Sequence, residues 1–297
     1  MDWPLVSFVI LTHNRRDQLV HTIMSARNQQ YPKLEIVVVD NASTDGTAEF
    51  VRSCFPSVKV VANRKNVGTA TGRNRGIEAS SGEFIVFLDD DCVLEGDAAV
   101  GSVVTNFRAD PECGAVAFRI ADPRTGKEWP YSLRVGPEVP MVYECARFCT
   151  GGVAIRRKTL EEVGLFWEPY FIGGVDTDLA LRIVASGWRI MRRTDVQVWH
   201  PSPKPGAPLN PEREIYFKVR NSIWLALRVI PLTLMLSLLV PRFGRALSLA
   251  IRMGKLPLFI RGIIDSLREL PRCLEERRPI PRAWARRARK LSMKLWT

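Results

Sequence analysis

Residues 84–91 read Phe84-Ile85-Val86-Phe87-Leu88-Asp89-Asp90-Asp91. Five apolar residues in a row, with no alternation, suit a strand covered on both faces. Three adjacent carboxylates at its end repel one another and raise one another's pKa values. That costs stability unless a cation neutralises them, and hard divalent ions such as Mg²⁺ or Mn²⁺ bind one or two carboxylates together with phosphate oxygens. The competing reading is a solvated acidic turn.

Upstream of this strand the pattern alternates strand and helix, which predicts a mostly parallel sheet with right-handed crossovers. Val6–Leu11, Ile36–Val39 and Val58–Val61 read as strands. Arg16–Gln29, with Leu19, Ile23 and Ala26 on one face, reads as a helix, as do Thr47–Cys54 and Ala70–Ala79. Between 110 and 150, Pro or Gly recurs at 111, 114, 123, 126, 130, 136, 137 and 140, predicting strands and long loops over an open sheet edge. Order returns with a strand-like Gly151–Ile155 and helices near Lys158–Val163 and Asp176–Gly187, the glycine closing the last. Trp188–Arg192 and Val196–Trp199 read as two short strands. Pro201, Pro203, Pro205, Pro208 and Pro211 then mark a linker.

The charge divides at that linker. Of a net +12 over 297 residues, +11 lies in residues 242–297, which hold 15 Lys/Arg against 4 Asp/Glu. A nearly neutral α/β globule (1–205, its halves 1–110 and 111–205) is thus expected ahead of a helical basic tail (206–297). Ile223–Val240 is apolar over 18 residues but interrupted by Arg228 and Pro231, marginal against the roughly 20 residues of a membrane span. Leu256, Phe259, Ile260, Ile263 and Leu267 fall on one helical face and Arg261, Asp265 and Arg268 on the other, the pattern of a helix lying in a membrane interface. The alternative is a helical pair packed on the globule. Six scattered cysteines without a CxxC, and an opening Met1-Asp2-Trp3-Pro4 that is no secretory signal, lead us to expect a reducing compartment.

The loop Thr12-His13-Asn14-Arg15-Arg16 follows a strand yet holds no glycine, so it is not a dinucleotide fingerprint, and no GxxxxGK[ST] loop occurs. Asp40 ends a strand at the carboxyl edge, where open α/β sheets bind ligands; it either accepts from a base or ribose or forms a turn with Asn41-Ala42-Ser43. Asp176 and Asp178 sit where a helix begins, either as N-caps or, for one of them, as a general base. His200 gains meaning only beside a metal.

Together, Val6–Arg16, Ile36–Thr47, Asn66–Gly76, Gly82–Asp91 and Gly151–Gly187 resemble glycosyltransferase family 2, the inverting sugar-nucleotide transferases of GT-A fold, rhamnosyltransferase-like bacterial members included. The resemblance implies a Rossmann-like sheet with helices on both faces. It implies that Thr12 and Asp40 contact the nucleobase, and that Asn66, Gly68, Arg73 and Asn74 line the donor pocket, with Asn14 and Arg15 from the first loop. Asp89, Asp90 and Asp91 match the family's DxD: Asp91 a metal ligand, Asp89 or Asp90 reaching ribose or metal, and His200 a third ligand. Asp176 matches the catalytic base of a Glu-Asp pair whose glutamate is here Val175, which leaves Asp178 as a rival. The implied reaction is transfer from a UDP-, dTDP- or GDP-linked sugar to a hydroxyl, with inversion and Mn²⁺ or Mg²⁺.

The basic tail favours an anionic membrane surface, hence a glycan or polyprenyl-lipid-linked acceptor and a cytoplasmic location, peripheral on the inner face of the membrane. Two other classes compete: a metal-dependent sugar-nucleotide nucleotidyltransferase, and a non-enzymatic scaffold binding membrane or nucleic acid through the tail. The tail lacks interleaved aromatics and any nucleic-acid motif, which argues against nucleic acid as a partner.

Overall fold

A computed structural model of the chain describes residues 2–128, 140–201 and 210–291. Within them a nine-stranded sheet has the order β3-β2-β1-β4-β8-β6-β9-β5, with β7 paired to β9. The strands are β1 Val6–Thr12, β2 Leu34–Asp40, β3 Lys59–Ala62, β4 Phe84–Asp89, β5 Val93–Leu94, β6 Cys113–Ala121, β7 Val142–Cys145, β8 Val153–Arg156 and β9 Arg189–Trp199. The half formed by β3, β2, β1 and β4 is parallel. Strand β8 runs antiparallel between β4 and β6, and β6 pairs in parallel with β9.

The apolar runs sort by parity. Val9, Val37, Val39, Ile85 and Phe87 point to one face, and Phe8, Ile10, Val38, Val86 and Leu88 to the other. Each side chain so buried contributes about 1.5–3 kcal/mol. Helix α1 (Arg16–Arg27) covers the second face through the expected Leu19, Ile23 and Ala26. Helix α2 (Thr47–Cys54) follows β2. Helix α3 (Gly68–Ala79) lies so close to β1 that a Cβ on Gly76 would stand 2.3 Å from Val9 Cγ1.

Helix α4 (Ala99–Ala109), left unassigned in the sequence, follows β5, and the strands expected after residue 110 include one of nine residues, Cys113–Ala121. Two sequence readings are corrected. The two short strands expected after Trp188 are one, β9, held together by its parallel partner β6 with an irregularity opposite Phe118/Arg119. Neither Asp176 nor Asp178 is an N-cap: Gly174 starts α6 (Val175–Ala185) without a side-chain cap. The short α5 (Arg157–Val163) precedes it.

Of the linker, Pro203, Pro205 and Pro208, and with them the boundary drawn at 205, lie outside the described residues. Beyond it a π-helical turn (Glu212–Phe217) leads into α7 (Lys218–Arg228), α8 (Leu232–Arg252), α9 (Leu256–Arg268), α10 (Leu270–Glu275) and α11 (Arg282–Leu291). The apolar 223–240 stretch is therefore broken. Pro231, extended at ψ 138°, separates α7 from α8, as a residue without an N–H and with a fixed φ does. The inner sides of these helices join the sheet's core: Trp224, Leu225, Ile230, Cys273 and Ile280 belong to the same cluster as Phe87 and Leu179. Asp265, expected on the polar outer face of α9, is instead buried and accepts from Tyr216 Oη at 2.9 Å.

Candidate active site

The register places the chemistry. Thr12 pairs opposite Asp40, and Leu11 opposite Asp89, so β1, β2 and β4 deliver their polar ends to one edge of the sheet. Strand β9 brings His200 to the same edge, its backbone N–H donating to Ala121 O at 2.9 Å.

At that edge the three aspartates have different partners. Asp89 Oδ1 accepts from Arg73 Nη2 at 2.7 Å, and Arg73 is almost fully buried. Asp90 lies beside Thr12, accepts from the His13 amide at 3.4 Å and faces Arg15 Nη1 at 3.3 Å. Burial, with Asp91 and Asp89 adding like charge against Arg15, pushes the Asp90 carboxyl up to about 6. Asp91 Oδ2 is bonded by Arg15, and its Oδ1 stands 3.0 Å from His200 Nε2. Burial works against ionising Asp91, but His200 and Arg15 outweigh it and hold that carboxyl below the usual range.

The donor set suits a hard divalent cation. Ligand atoms of Asp89, Cys92 and His200 lie within 4.8 Å of one another, and Gly151 leaves room where a Cβ would sit 3.2 Å from Asp89 Oδ2. Carboxylates and an imidazole are appropriate ligands. Cys92 is fully buried and burial raises its thiol far above the ordinary value; its soft sulfur suits Mg²⁺ or Mn²⁺ less well than the carboxylates do.

Asp176 lies within electrostatic reach of both Arg73 and Asp89. Its Oδ1 accepts from Thr150 Oγ1 at 3.0 Å. Burial and the charge of Asp89 raise its carboxyl, against the opposing pull of Arg73 and Thr150. Val175, in the place of the family's glutamate, is buried against the core with Tyr170 and Leu179 and offers nothing to the site. Asp178 is wholly buried between Arg182 (2.7 Å) and Arg228 (3.2 Å). It cannot reach a substrate.

The other expected donor residues are partly occupied in building the loops. Asp40 Oδ1 accepts from the Ser43 amide at 3.0 Å, the turn geometry weighed as its alternative. Asn14, at φ 54°, ties the first loop to the second by accepting from the Thr44 amide at 2.7 Å. Asn66 Oδ1 accepts from Asn41 and from the Gly68 amide. Gly68, at φ +81°, lies against Phe171, where a Cβ would meet Phe171 O at 2.6 Å. Asn74 is the exception among them: both ends of its amide go to the Phe166 backbone, at 2.8 and 3.0 Å, so it positions chain rather than facing a ligand. Sequence reasoning missed Thr150 and Asn41. The first was readable only as a polar residue ahead of Gly151-Gly152, the second as part of the Asp40 turn.

The profile of Glycosyl transferase family 2 matches residues 7–194, well over half of the sequence. The chain belongs to that family. As a family 2 glycosyltransferase it is 28% identical over 236 residues to Glycosyltransferase AglE of Haloferax volcanii, a match spanning 76% of each chain. It is 35% identical over 91 residues to a putative teichuronic acid biosynthesis glycosyltransferase, TuaG, of Bacillus subtilis, which covers only 36% of that protein. Among solved structures, the mannosyltransferase PcManGT of Pyrobaculum calidifontis, in complex with GDP-Man and Mn²⁺, superimposes with a TM-score of 0.63 at 24% identity over 99% of this chain and 88% of that one. S. aureus TarS in complex with UDP-GlcNAc gives 0.64 at 18% identity, over 92% and 84%. These likenesses establish the GT-A fold.

Proposed function

We propose that this glycosyltransferase moves a sugar from a nucleoside-diphosphate donor, UDP-, dTDP- or GDP-linked, to a hydroxyl of a glycan or polyprenyl-lipid-linked acceptor, inverting the anomeric centre. The observation that carries the reading is Arg73. It bonds Asp89 at 2.7 Å and lies within the electrostatic reach of Asp176, so the carboxylate able to take a proton and one able to hold a cation share one guanidinium.

Asp89, Asp91 and His200 would hold Mn²⁺ or Mg²⁺, which would supply positive charge against the departing diphosphate. Arg15, half exposed beside Asp91, adds a second positive group facing the same space. Thr12, Asn14, Asp40, Asn66 and Gly68 frame the nucleotide side, with Asp90 toward the ribose. Asp176, hydrogen-bonded by Thr150 and facing the charge of Arg73, accepts the acceptor hydroxyl's proton, a role worth about 10²–10⁴ in rate. One displacement from the opposite face needs no protein nucleophile. The basic tail supports a cytoplasmic enzyme working at the inner face of a membrane.

The test is a donor screen in Mn²⁺, reading thermal stabilisation by each nucleotide sugar and then the released product. Nucleoside diphosphate supports transfer. Pyrophosphate would show nucleotidyl chemistry instead and overturn the reading.

A further inference from the structure

The C-terminal helices carry two faces of opposite use. Helix α8 turns Leu238, Ala246 and Ala250 inward and α9 turns Phe259 inward, and with Ile215 and Val219 most of these form a small core of their own. On the outside, α8 leaves Leu232 (71% exposed), Leu236 (74%), Val240 (65%) and Ile251 (64%) in water. Helix α9 leaves Leu256, Ile260, Ile264 and Leu267 about half exposed. Within each helix the spacing of three, four or a multiple of turns places these residues on one side. Scattered surface leucines need no explanation, but two continuous aliphatic stripes do.

The charge around the stripes identifies what covers them. From Ala246 to Ile264 the chain holds three exposed basic residues (Arg252, Lys255, Arg261) and no acidic one, with the exposed Arg245 just ahead of them. Arg252 and Lys255 are exposed at the turn joining the two helices. Arg261 and Arg268 follow Ile260 and Leu267 by one residue each, about 100° around the helix. Their side chains are largely exposed while sharing the buried Asp265. Aliphatic side chains bordered by long basic ones match the acyl–headgroup boundary of an anionic leaflet. A second copy would set the same positive strip against itself, which disfavours self-association.

Helix α8 is, among the described residues, the one helix long and apolar enough to cross a bilayer. Crossing would require it to leave the small core and to carry Arg242 and Arg245 into hydrocarbon, where each charge is costly. We infer that α8 and α9 dock flat on an anionic leaflet, their outer stripes in the interface and their inner faces still holding the enzyme. This deepens the membrane location proposed above and rests on it, but not on the chemistry assigned to the cleft.

The experiment is flotation of the full chain with vesicles of phosphatidylglycerol and phosphatidylcholine, or of phosphatidylcholine alone, at low and high salt. Attachment is expected on the anionic vesicles and to weaken with salt. The double variant Ile260→Gln/Ile264→Gln, altered only at exposed positions, is expected to keep its unfolding temperature and lose at least about tenfold in vesicle affinity. Arg252→Gln/Lys255→Gln is expected to lose anionic binding selectively. A chain that stays with alkaline-carbonate-washed membranes, or a glutamine variant that floats as the wild type does, overturns the inference. So does a dimer in solution that the glutamine variant dissociates. Donor stabilisation of the same variants keeps the two questions apart: loss of flotation with the donor response intact supports docking, whereas loss of both means that the stripe serves the site and overturns it.

Discussion

Asp178 Oδ2 and Arg228 Nη1 meet at 3.2 Å across fifty positions of sequence, with Arg182 holding the other carboxylate oxygen. The aspartate that sequence left as a rival base is the anion of a buried ion pair joining α6 to α7. Removing one partner of such a group leaves uncompensated buried charge, at about 3–5 kcal/mol. At about 2–4 °C per kcal/mol in chains near this size, Asp178→Asn is expected to lower the unfolding temperature by roughly ten degrees in calorimetry. Asp176→Asn is expected to unfold as the wild type does and to lose about 10²–10⁴ in kcat. Equal thermal losses in the two variants would contradict the assignment.

Asp176 also predicts a pH dependence. A base works deprotonated, and burial with Asp89 has raised this carboxyl above its ordinary value of 3.8. The rate should therefore fall with acidification at a pH above that expected of a free aspartate. The Thr150 hydroxyl favours the ionised form by hydrogen bonding to it. Thr150→Val therefore moves the acid limb of the rate profile to higher pH, and a limb unmoved or moved down would count against Asp176 as the group that titrates.

Chelation by EDTA should abolish transfer, and added Mn²⁺ or Mg²⁺ should restore it in the wild type but not in Asp91→Ala. Arg15 gives a finer measurement. Its guanidinium already bonds Asp91, so an arriving cation must displace it, and a half-exposed pair of this kind is worth up to about 1 kcal/mol. Arg15→Gln should then bind Mn²⁺ up to about fivefold more tightly in the absence of nucleotide, by titration calorimetry. Arg16→Gln, which removes the same charge one residue away, is the control and should change little.

Gly68→Ala tests the junction between the two halves of the cleft. The added methyl group meets Phe171 O at 2.6 Å and the residue would sit at φ +81°, a strained backbone for alanine costing about 1–3 kcal/mol. Phe171 O also accepts from the Thr69 amide at 2.6 Å. The expected result is a lowered unfolding temperature together with weakened donor stabilisation.

Much of this was readable without coordinates where a single strand carries its own signal. Phe8–Leu11 and Phe84–Leu88 are apolar without interruption because both of their faces are covered, and the polar residue ending each strand marks the ligand edge. On α9 periodicity groups Leu256, Ile260 and Leu267, which are exposed together, but it also puts Phe259 and Ile263 with them, and those turn inward. What periodicity cannot express is pairing at a distance. Strand β6 is interrupted by Gly114 and finds its parallel partner only at β9, over seventy residues later, so neither its length nor the unity of β9 could be read locally. Asp176 and Asp178 look equivalent in sequence, two residues apart at one helix start. Arg228, arriving from beyond the linker, separates them. Asp265 was misplaced for a similar reason: Tyr216, from the π-helical turn, draws it inward.

The shared core of sheet and C-terminal helices bears on how the enzyme can be handled at the bench. Because Trp224, Cys273 and Ile280 pack with Phe87 and Leu179, cutting the chain at the prolines to obtain a detergent-free fragment would strip the catalytic half of one wall and invite aggregation. A water-tolerant version is better made by repainting α8 and α9 with polar side chains from the outside, leaving their undersides untouched.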